Sequence, residues 1–392
     1  MKILFVHNYY QHAGGEDNVV AAEMKLLADH GHDVELWSID NKDLPSGLFR
    51  KIKTALTTAY SPASRVAARD RLRRFKPDVV HVHNFFPQIS PAIYDACLDE
   101  GVPVVQTLHN YRLICPGAML MRNGKICEQC LSGSPYRAAW HGCYKGSKLG
   151  SLVVANMVAR HRREGTWQHK VNRFIALTEF GKGKFVAAGF PAEKIAVKAN
   201  FLHDPLPESP LDDSVAPGFA LFVGRISEEK GIKTLLQAWS GLANQTVLKV
   251  AGAGPLEALL QDKPNIEALG RQNATEVSQL MRRAAFLVLP SEWYEGFPLV
   301  LVEAFAHGLP VLASRLGSMA DIIEDSETGL LFSPGDAKDL ADKAKWLFEN
   351  PQQAQKLGEN ARNTFLAKYT AERNYGELMA IYEAAGQLGG LD

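Results

Sequence analysis

The chain has no net charge, no long apolar run and little cysteine. Its 392 residues carry 43 Lys and Arg against 43 Asp and Glu, with only 5 Cys. A balanced charge argues against a nucleic-acid binder held by a basic surface. No segment approaches the ~18 consecutive apolar residues that span a bilayer. Ile3-Leu4-Phe5-Val6 is too short for the core of a secretion signal. The chain is therefore expected to be cytoplasmic, with reduced thiols. No fixed-period repeat is visible. A composition of 46% hydrophobic and 22% charged residues excludes wholesale disorder, collagen-like sequence and a disulfide-stapled miniprotein. At ~150 residues per domain, the length suits two or three domains, each able to bury a core.

The zero hides an asymmetry. Residues 1–205 hold 27 Lys and Arg against 18 Asp and Glu, whereas the remainder holds 16 against 25. Such a split suits an anionic partner met by the first half, or attraction between the two halves.

Short β-branched runs alternate with helical stretches: 3–6, 34–39, 79–82, 102–108, 174–177 and 195–197 read as strands. Between Asp204 and Gly218 the chain turns rich in proline, Asp and Ser, a linker signature. The alternation then restarts with strands at 220–223, 248–251, 266–269, 286–289 and 311–313, and the chain closes on a helical stretch from Ala371. The β-α-β order predicts two doubly wound parallel sheets, 1–205 and 206–370, facing a cleft at the carboxyl ends of their strands, where ligands bind.

Several loops at predicted strand ends carry chemistry. Gly224-Arg225 and Lys230-Gly231 follow one strand, and two cations there can hold a diphosphate; the same residues also suit a solvated ion-pair loop. Gly252-Ala253-Gly254-Pro255 lacks the third glycine of a dinucleotide fingerprint and reads as a tight turn. In Pro290–Pro298, a Gly296-Phe297-Pro298 turn opens a helix from about Pro298, whose free N–H groups favour an anion. Glu303 lies in that helix among apolar residues and needs hydrogen-bond donors, which sugar hydroxyls supply. In the first half, the glycine loop at 12–16 allows close backbone approach to a ligand, with Gly15 preferred, and His83 and His109 each follow a strand.

Glu295 and Glu303, with seven residues between them, the Gly-Arg-x5-Gly at 224–231 and the Gly-Ala-Gly-Pro at 252–255 together resemble the retaining glycosyltransferases of family 4. The resemblance spans nearly the whole chain. It implies a GT-B fold of two Rossmann-like domains, with the final helix, 371–392, returning to the first. It implies that Arg225 and Lys230 bind the donor diphosphate. Glu303 would hold the ribose, and Glu295 with Gly296, Phe297, Pro298 and Leu299 would meet the sugar and phosphates. Gly224, Gly254 and Arg271 would line the donor, and His109 would lie beside the transferred sugar. The implied reaction moves a hexose-type sugar from a nucleotide-diphosphate sugar to an acceptor hydroxyl, with retention and no catalytic cofactor. The acceptor would be a glycan or lipid-linked intermediate of cell-surface polysaccharide. No Asp-x-Asp triplet is present, which argues against metal-dependent GT-A chemistry. A GT-B nucleotide-sugar epimerase and a non-catalytic carbohydrate- or nucleotide-binding scaffold share the fold and stay as alternatives.

Two further features need partners. Arg50, Lys51, Lys53, Arg65, Arg69, Arg71, Arg73, Arg74 and Lys76, interleaved with apolar residues, suit an anionic membrane surface or a solvated helical face. Cys115, Cys127, Cys130 and Cys143 form C-x11-C-x2-C-x12-C, a set that suits one structural zinc, packed thiols or disulfides.

Overall fold

The inner β-branched runs form strands because they are buried on both faces, as parallel sheets covered by helices require, whereas the edge runs at 33–40 and 266–270 are only partly buried. The computed structural model describes residues 1–10, 14–41, 54–206, 218–242 and 246–388. His12, Ala13, Arg50, Lys51, Lys53 and most of the proline-rich stretch therefore lie outside the described residues. The strands are β1 (Lys2–Tyr9), β2 (Asp33–Asp40), β3 (Val79–Asn84), β4 (Val104–Thr107), β5 (Met121–Arg122), β6 (Lys125–Ile126), β7 (Arg173–Ala176), β8 (Ile195–Val197), β9 (Phe219–Val223), β10 (Val247–Ala251), β11 (Ile266–Gly270), β12 (Phe286–Leu289), β13 (Val311–Ser314) and β14 (Gly329–Phe332). The sequence reading missed β5, β6 and β14.

The chain divides into two compact units. One comprises Met1–Leu120, Cys127–Asn200 and Asn374–Asp392; the other comprises Met121–Ile126 and Phe201–Arg373. The first holds a six-stranded sheet in the order β2-β1-β3-β4-β7-β8, and the second holds one in the order β11-β10-β9-β12-β13-β14. Every pairing in both sheets is parallel. The strand order reverses beside β1 in the first unit and beside β9 in the second. Loops at the carboxyl ends of the strands flanking such a point form the usual ligand crevice of these sheets.

In the first unit Ile3, Phe5, Val79, Val105 and Ile175 pack with Val20 and Leu27 of the helix Gly15–Asp29. They also pack with Leu378, Ile381, Tyr382 and Ala385 of the helix Ala371–Leu388. The last helix therefore completes the core of the first sheet. In the second unit Phe222, Val250 and Val288 pack with Leu235 and Trp239 of the helix Ile232–Ser240 and with Leu340 and Leu347 of the helix Ala337–Glu349.

A buried ion pair ties the first unit together: Lys198 Nζ donates to Glu23 Oε1 at 2.8 Å, with both side chains 1% exposed. The pair joins the helix Gly15–Asp29 to the chain just after β8. Leaving one such charge alone in the interior typically costs about 3–5 kcal/mol. Lys198→Met should lower the unfolding free energy by about that amount, and Leu378→Ala by about 2–5 kcal/mol. Denaturant titration of the two variants measures both losses.

Candidate functional site

In the second unit three loops leave the carboxyl ends of neighbouring strands and lock together through their backbones. Gly224–Gly231 follows β9, Gly252–Pro255 follows β10 and Pro290–Pro298 follows β12. Ile226 N donates to Ala253 O at 3.1 Å, Leu256 N to Ile226 O at 3.1 Å, and Glu292 N to Glu229 O at 2.9 Å. Gly231 has φ +70°, and a Cβ on it would lie 1.8 Å from Pro290 O; a Cβ on Gly254 would lie 2.2 Å from Ile226 O. The glycines are there because backbone meets backbone, which is close approach rather than a dinucleotide fingerprint.

On this frame Lys230 Nζ donates to Glu295 Oε1 at 2.6 Å, and Ser291 Oγ donates to the same oxygen at 2.6 Å. Ser318 Oγ donates to Glu295 O at 2.8 Å, and Thr234 Oγ1 donates to Glu292 Oε1. The Lys230 ammonium also lies 5.7 Å from the centre of the Trp293 ring. Glu295 is 6% exposed, so Lys230 is the counter-charge of a buried carboxylate as well as a cation at the loop edge. Arg225 is exposed, and its guanidinium has no ion pair or hydrogen bond among the described residues.

The helix Leu299–Ala306 starts one residue later than the sequence suggested. Pro298 is its N-cap, with φ −76° and ψ 92°, and no side chain caps the first turn. Its first N–H groups are open to an anion. Glu303 sits partly buried on this helix. Burial holds its carboxyl above the usual range, and the carboxylate has no hydrogen-bond partner among the described residues. Arg271 is exposed just past β11, where Gly252 N donates to Gly270 O at 2.7 Å.

The first unit gathers a second set of groups around the end of β4. His109 lines a pocket with Tyr10, His83, Asn84, Asn110 and Arg112. His83 Nδ1 and His109 Nε2 are 2.8 Å apart. His83 Nε2 lies 3.5 Å from Glu23 Oε2, and neither atom has a hydrogen-bond partner. A proton on His83 Nε2, on the side of the carboxylate, would leave its Nδ1 to accept from the Nε2–H of His109 and leave His109 Nδ1 to accept from a hydroxyl. Burial opposes ionisation of Glu23, but the adjacent Lys198 ammonium prevails and lowers its pKa. Burial pushes His109 down to about 3 and His83 well below its ordinary value, so both rings are neutral near pH 7.

Gly15 is the first residue of its helix, and the Asp17 carboxylate accepts from Gly14 N at 3.0 Å and bonds His7 Nε2 at 2.8 Å. Burial, then the Asp17 charge, pushes the neighbouring Glu16 up to about 8. The sequence reading passed over Glu16, Glu23, Arg112 and Lys198, and nothing in the local spacing of Glu23 or Lys198 announces their pairing.

The structure also places the basic cluster and the cysteines. The arginines of the helix Pro62–Phe75 are paired: Arg65 with Asp99 at 2.6 Å, Arg69 and Arg73 with Glu100 at 2.9 and 3.0 Å, and Arg71 and Arg74 with Glu35 at 3.4 and 3.0 Å. The described part of that basic cluster thus offers far less free charge than its composition suggests. None of the cysteines forms a disulfide. Burial and then the thiols of Cys115, Cys143 and Cys127 push Cys130 up to about 11. Among the described residues, the one group whose metal-capable atoms all lie within 4.8 Å of one another is Glu23, His81 and His83. The four sulfurs are not such a group, though Cys115, Cys127 and Cys143 lie near enough to Cys130 to raise its pKa. The Glu23 group does not fit a metal. Both nitrogens of His81 are engaged, by Tyr382 OH at 2.7 Å and Thr107 Oγ1 at 2.8 Å, and Lys198 occupies the carboxylate.

Burial lowers the pKa of His7, His81, His83 and His109 alike. Unfolding returns each to ~6.5, so below that pH the unfolded chain binds more protons than the folded one. Stability should therefore fall as pH drops from ~6.5 toward 3. Glu16 and Glu303, raised by burial, act in the opposite sense, but the four histidines outnumber them. Unfolding free energies measured at several pH values check the slope, and His83→Asn should flatten it.

The relatives of the chain show its family and fold. The family description "Glycosyltransferase Family 4" matches residues 13–203, and "Glycosyl transferases group 1" matches residues 213–364. An uncharacterized glycosyltransferase of Methanocaldococcus jannaschii is 35% identical over 72% of this chain and 76% of that one. The MMP alpha-(1->4)-mannosyltransferase of Mycolicibacterium hassiacum is 30% identical over 95% of each chain. The crystal structure of Anabaena HepE in complex with UDP and glucose matches the fold with a TM-score of 0.68 at 18% identity, covering 100% of both chains. The two parallel-sheet, Rossmann-like units are those of a GT-B protein, and the chain belongs to glycosyltransferase family 4.

Proposed function

We propose that this glycosyltransferase moves a hexose-type sugar from a nucleotide-diphosphate sugar to an acceptor hydroxyl with retention of configuration. The observation that carries the reading is the pair of unsatisfied charged groups in the second unit: the exposed Arg225 guanidinium and the half-buried Glu303 carboxylate. A diphosphate leaving group needs cations and N–H donors, and a ribose needs an acceptor for its hydroxyls. Arg225, Lys230 and the uncapped start of the helix at Leu299 supply the first; Glu303 supplies the second. Glu295 and the backbone from Gly296 to Leu299 meet the sugar and phosphates, with Gly224, Gly254 and Arg271 along the nucleotide.

His109, neutral and with Nδ1 bare, accepts a hydrogen bond from a hydroxyl of the transferred sugar, with Gly15 at the same sheet's ligand crevice. In this reading the protein's own cations stabilise the leaving group, and a leaving-group phosphate oxygen takes the acceptor proton on the front face. HepE was solved with UDP and glucose, which supports a nucleotide-diphosphate donor here. We assign the acceptor to a lipid-linked or glycan intermediate of cell-surface polysaccharide.

Calorimetric titration against a panel of nucleoside diphosphates tests the donor site. One nucleotide should bind preferentially, and Arg225→Ala and Glu303→Ala should each weaken it about tenfold or more, the usual worth of a hydrogen bond to a charged group. A folded protein that binds no nucleoside diphosphate would overturn the reading.

A further inference from the structure

Between Glu128 and Glu164 the chain runs 35 residues without one acidic side chain, and six of those residues are Lys or Arg. The stretch holds two helices of the first unit, Arg137–His141 and Lys148–Arg163. The second helix buries Val154, Ala155, Met157 and Val158. Leu149, Leu152, Asn156 and Arg163 recur at helical spacing on its other side, and all four are exposed. Leu149 is 78% exposed and Leu152 45%. On the first helix Trp140 is 81% exposed, and Tyr136, one turn earlier, is 43% exposed. Tyr136 OH donates to Asn156 Oδ1 at 3.2 Å, so the aromatic pair and the leucine stripe share one surface.

The charge around these side chains is unspent. Arg137, Lys148 and Arg163 are exposed, and their side chains make no ion pair or hydrogen bond among the described residues. Lys145 is exposed and lies only over the Tyr144 ring. The remaining cations are occupied: Arg160 by Glu164 at 2.7 Å, and Arg162 by the carbonyls of Gly133 and Cys130. This contrasts with the helix Pro62–Phe75, whose five arginines are paired.

We propose that Tyr136, Trp140, Leu149 and Leu152, bordered by Arg137, Lys145, Lys148 and Arg163, dock this protein on an anionic bilayer surface. Trp and Tyr rings settle at the headgroup level, leucines reach the acyl boundary, and each Lys or Arg near an anionic surface contributes about 1 kcal/mol. A protein partner of this chemistry would itself have to be acidic and apolar over the same area. A bilayer with acidic headgroups meets both needs at once, and the absence of any acid in the stretch removes the repulsion that would oppose it. The placement deepens the lipid-linked reading of the acceptor and rests on it for its purpose, but not for its test.

Cosedimentation of the full chain with vesicles tests the surface without donor or acceptor. Binding should be strong to mixed phosphatidylglycerol and phosphatidylcholine vesicles, weak to phosphatidylcholine alone, and reduced by salt. The double variants Trp140→Ser/Leu149→Ser and Lys145→Glu/Lys148→Glu should each lose roughly tenfold or more in affinity. Both pairs are exposed, so unfolding temperature and nucleotide binding should stay those of the parent. Equal vesicle binding by parent and variants would overturn the proposal, as would no binding to anionic vesicles. A dimer abolished by Trp140→Ser/Leu149→Ser, with no vesicle binding, would give the face to a second copy instead. In the parent chain, nucleotide binding without binding to anionic vesicles fails this surface alone; binding to anionic vesicles without nucleotide binding fails the donor site alone.

Discussion

Backbone-to-backbone contact among three loops is the constraint on which the proposed donor chemistry depends. Without side chains at Gly231 and Gly254, the turns after β9, β10 and β12 close to a distance where a Cβ would meet a carbonyl oxygen. That contact aims Arg225 and Lys230 from one loop and Glu295 from another at the same edge of the second sheet. It also sets the Lys230–Glu295 ion pair, in which a buried carboxylate holds a cation at a fixed point. Such preorganisation matters because stabilising a departing diphosphate gains most from charges that need not reorganise during the reaction.

The first unit solves a different problem with the same sheet. In the proposed function His109 meets a sugar hydroxyl, and a histidine in that role must present a defined tautomer. Here a buried lysine fixes the charge of Glu23, Glu23 faces the Nε2 of His83, and His83 orients His109. The chain runs from β8 through the first helix and β3 to the end of β4, so a polar group at the pocket depends on pairings deep in the core. Buried polar groups of this kind are costly unless each is satisfied, and the network keeps Glu23 Oε2 and His83 Nε2 3.5 Å apart, each without a hydrogen-bond partner.

What the residues revealed beforehand followed from local pattern. The β-branched runs located ten of the parallel strands within a residue or two, because a strand buried on both faces must be continuously apolar. Gly329-Leu330-Leu331-Phe332 escaped notice as β14: it is short and lacks a strong alternation or turn signal. Arg225, Lys230, Glu295 and Glu303 were legible because each follows a strand or sits oddly among apolar neighbours. The partners of charged groups were not legible. The arginines of 65–74 read as a free cationic patch, yet Glu35, Asp99 and Glu100 meet them across the fold. Glu23 and Lys198 are 175 residues apart and join only when β8 comes to the sheet. The cation-bearing apolar face at 136–152 was equally hidden, since its meaning lies in which side chains stay outside.

Retention of anomeric configuration is the most demanding consequence of the proposed chemistry, in which the same face of the sugar loses the diphosphate and receives the acceptor. The direct measurement is proton NMR of the first-formed sugar product from an α-configured nucleotide sugar, read before mutarotation. An α-configured product is expected. A β-configured product, or a folded enzyme that turns over no nucleotide sugar, would contradict the mechanism.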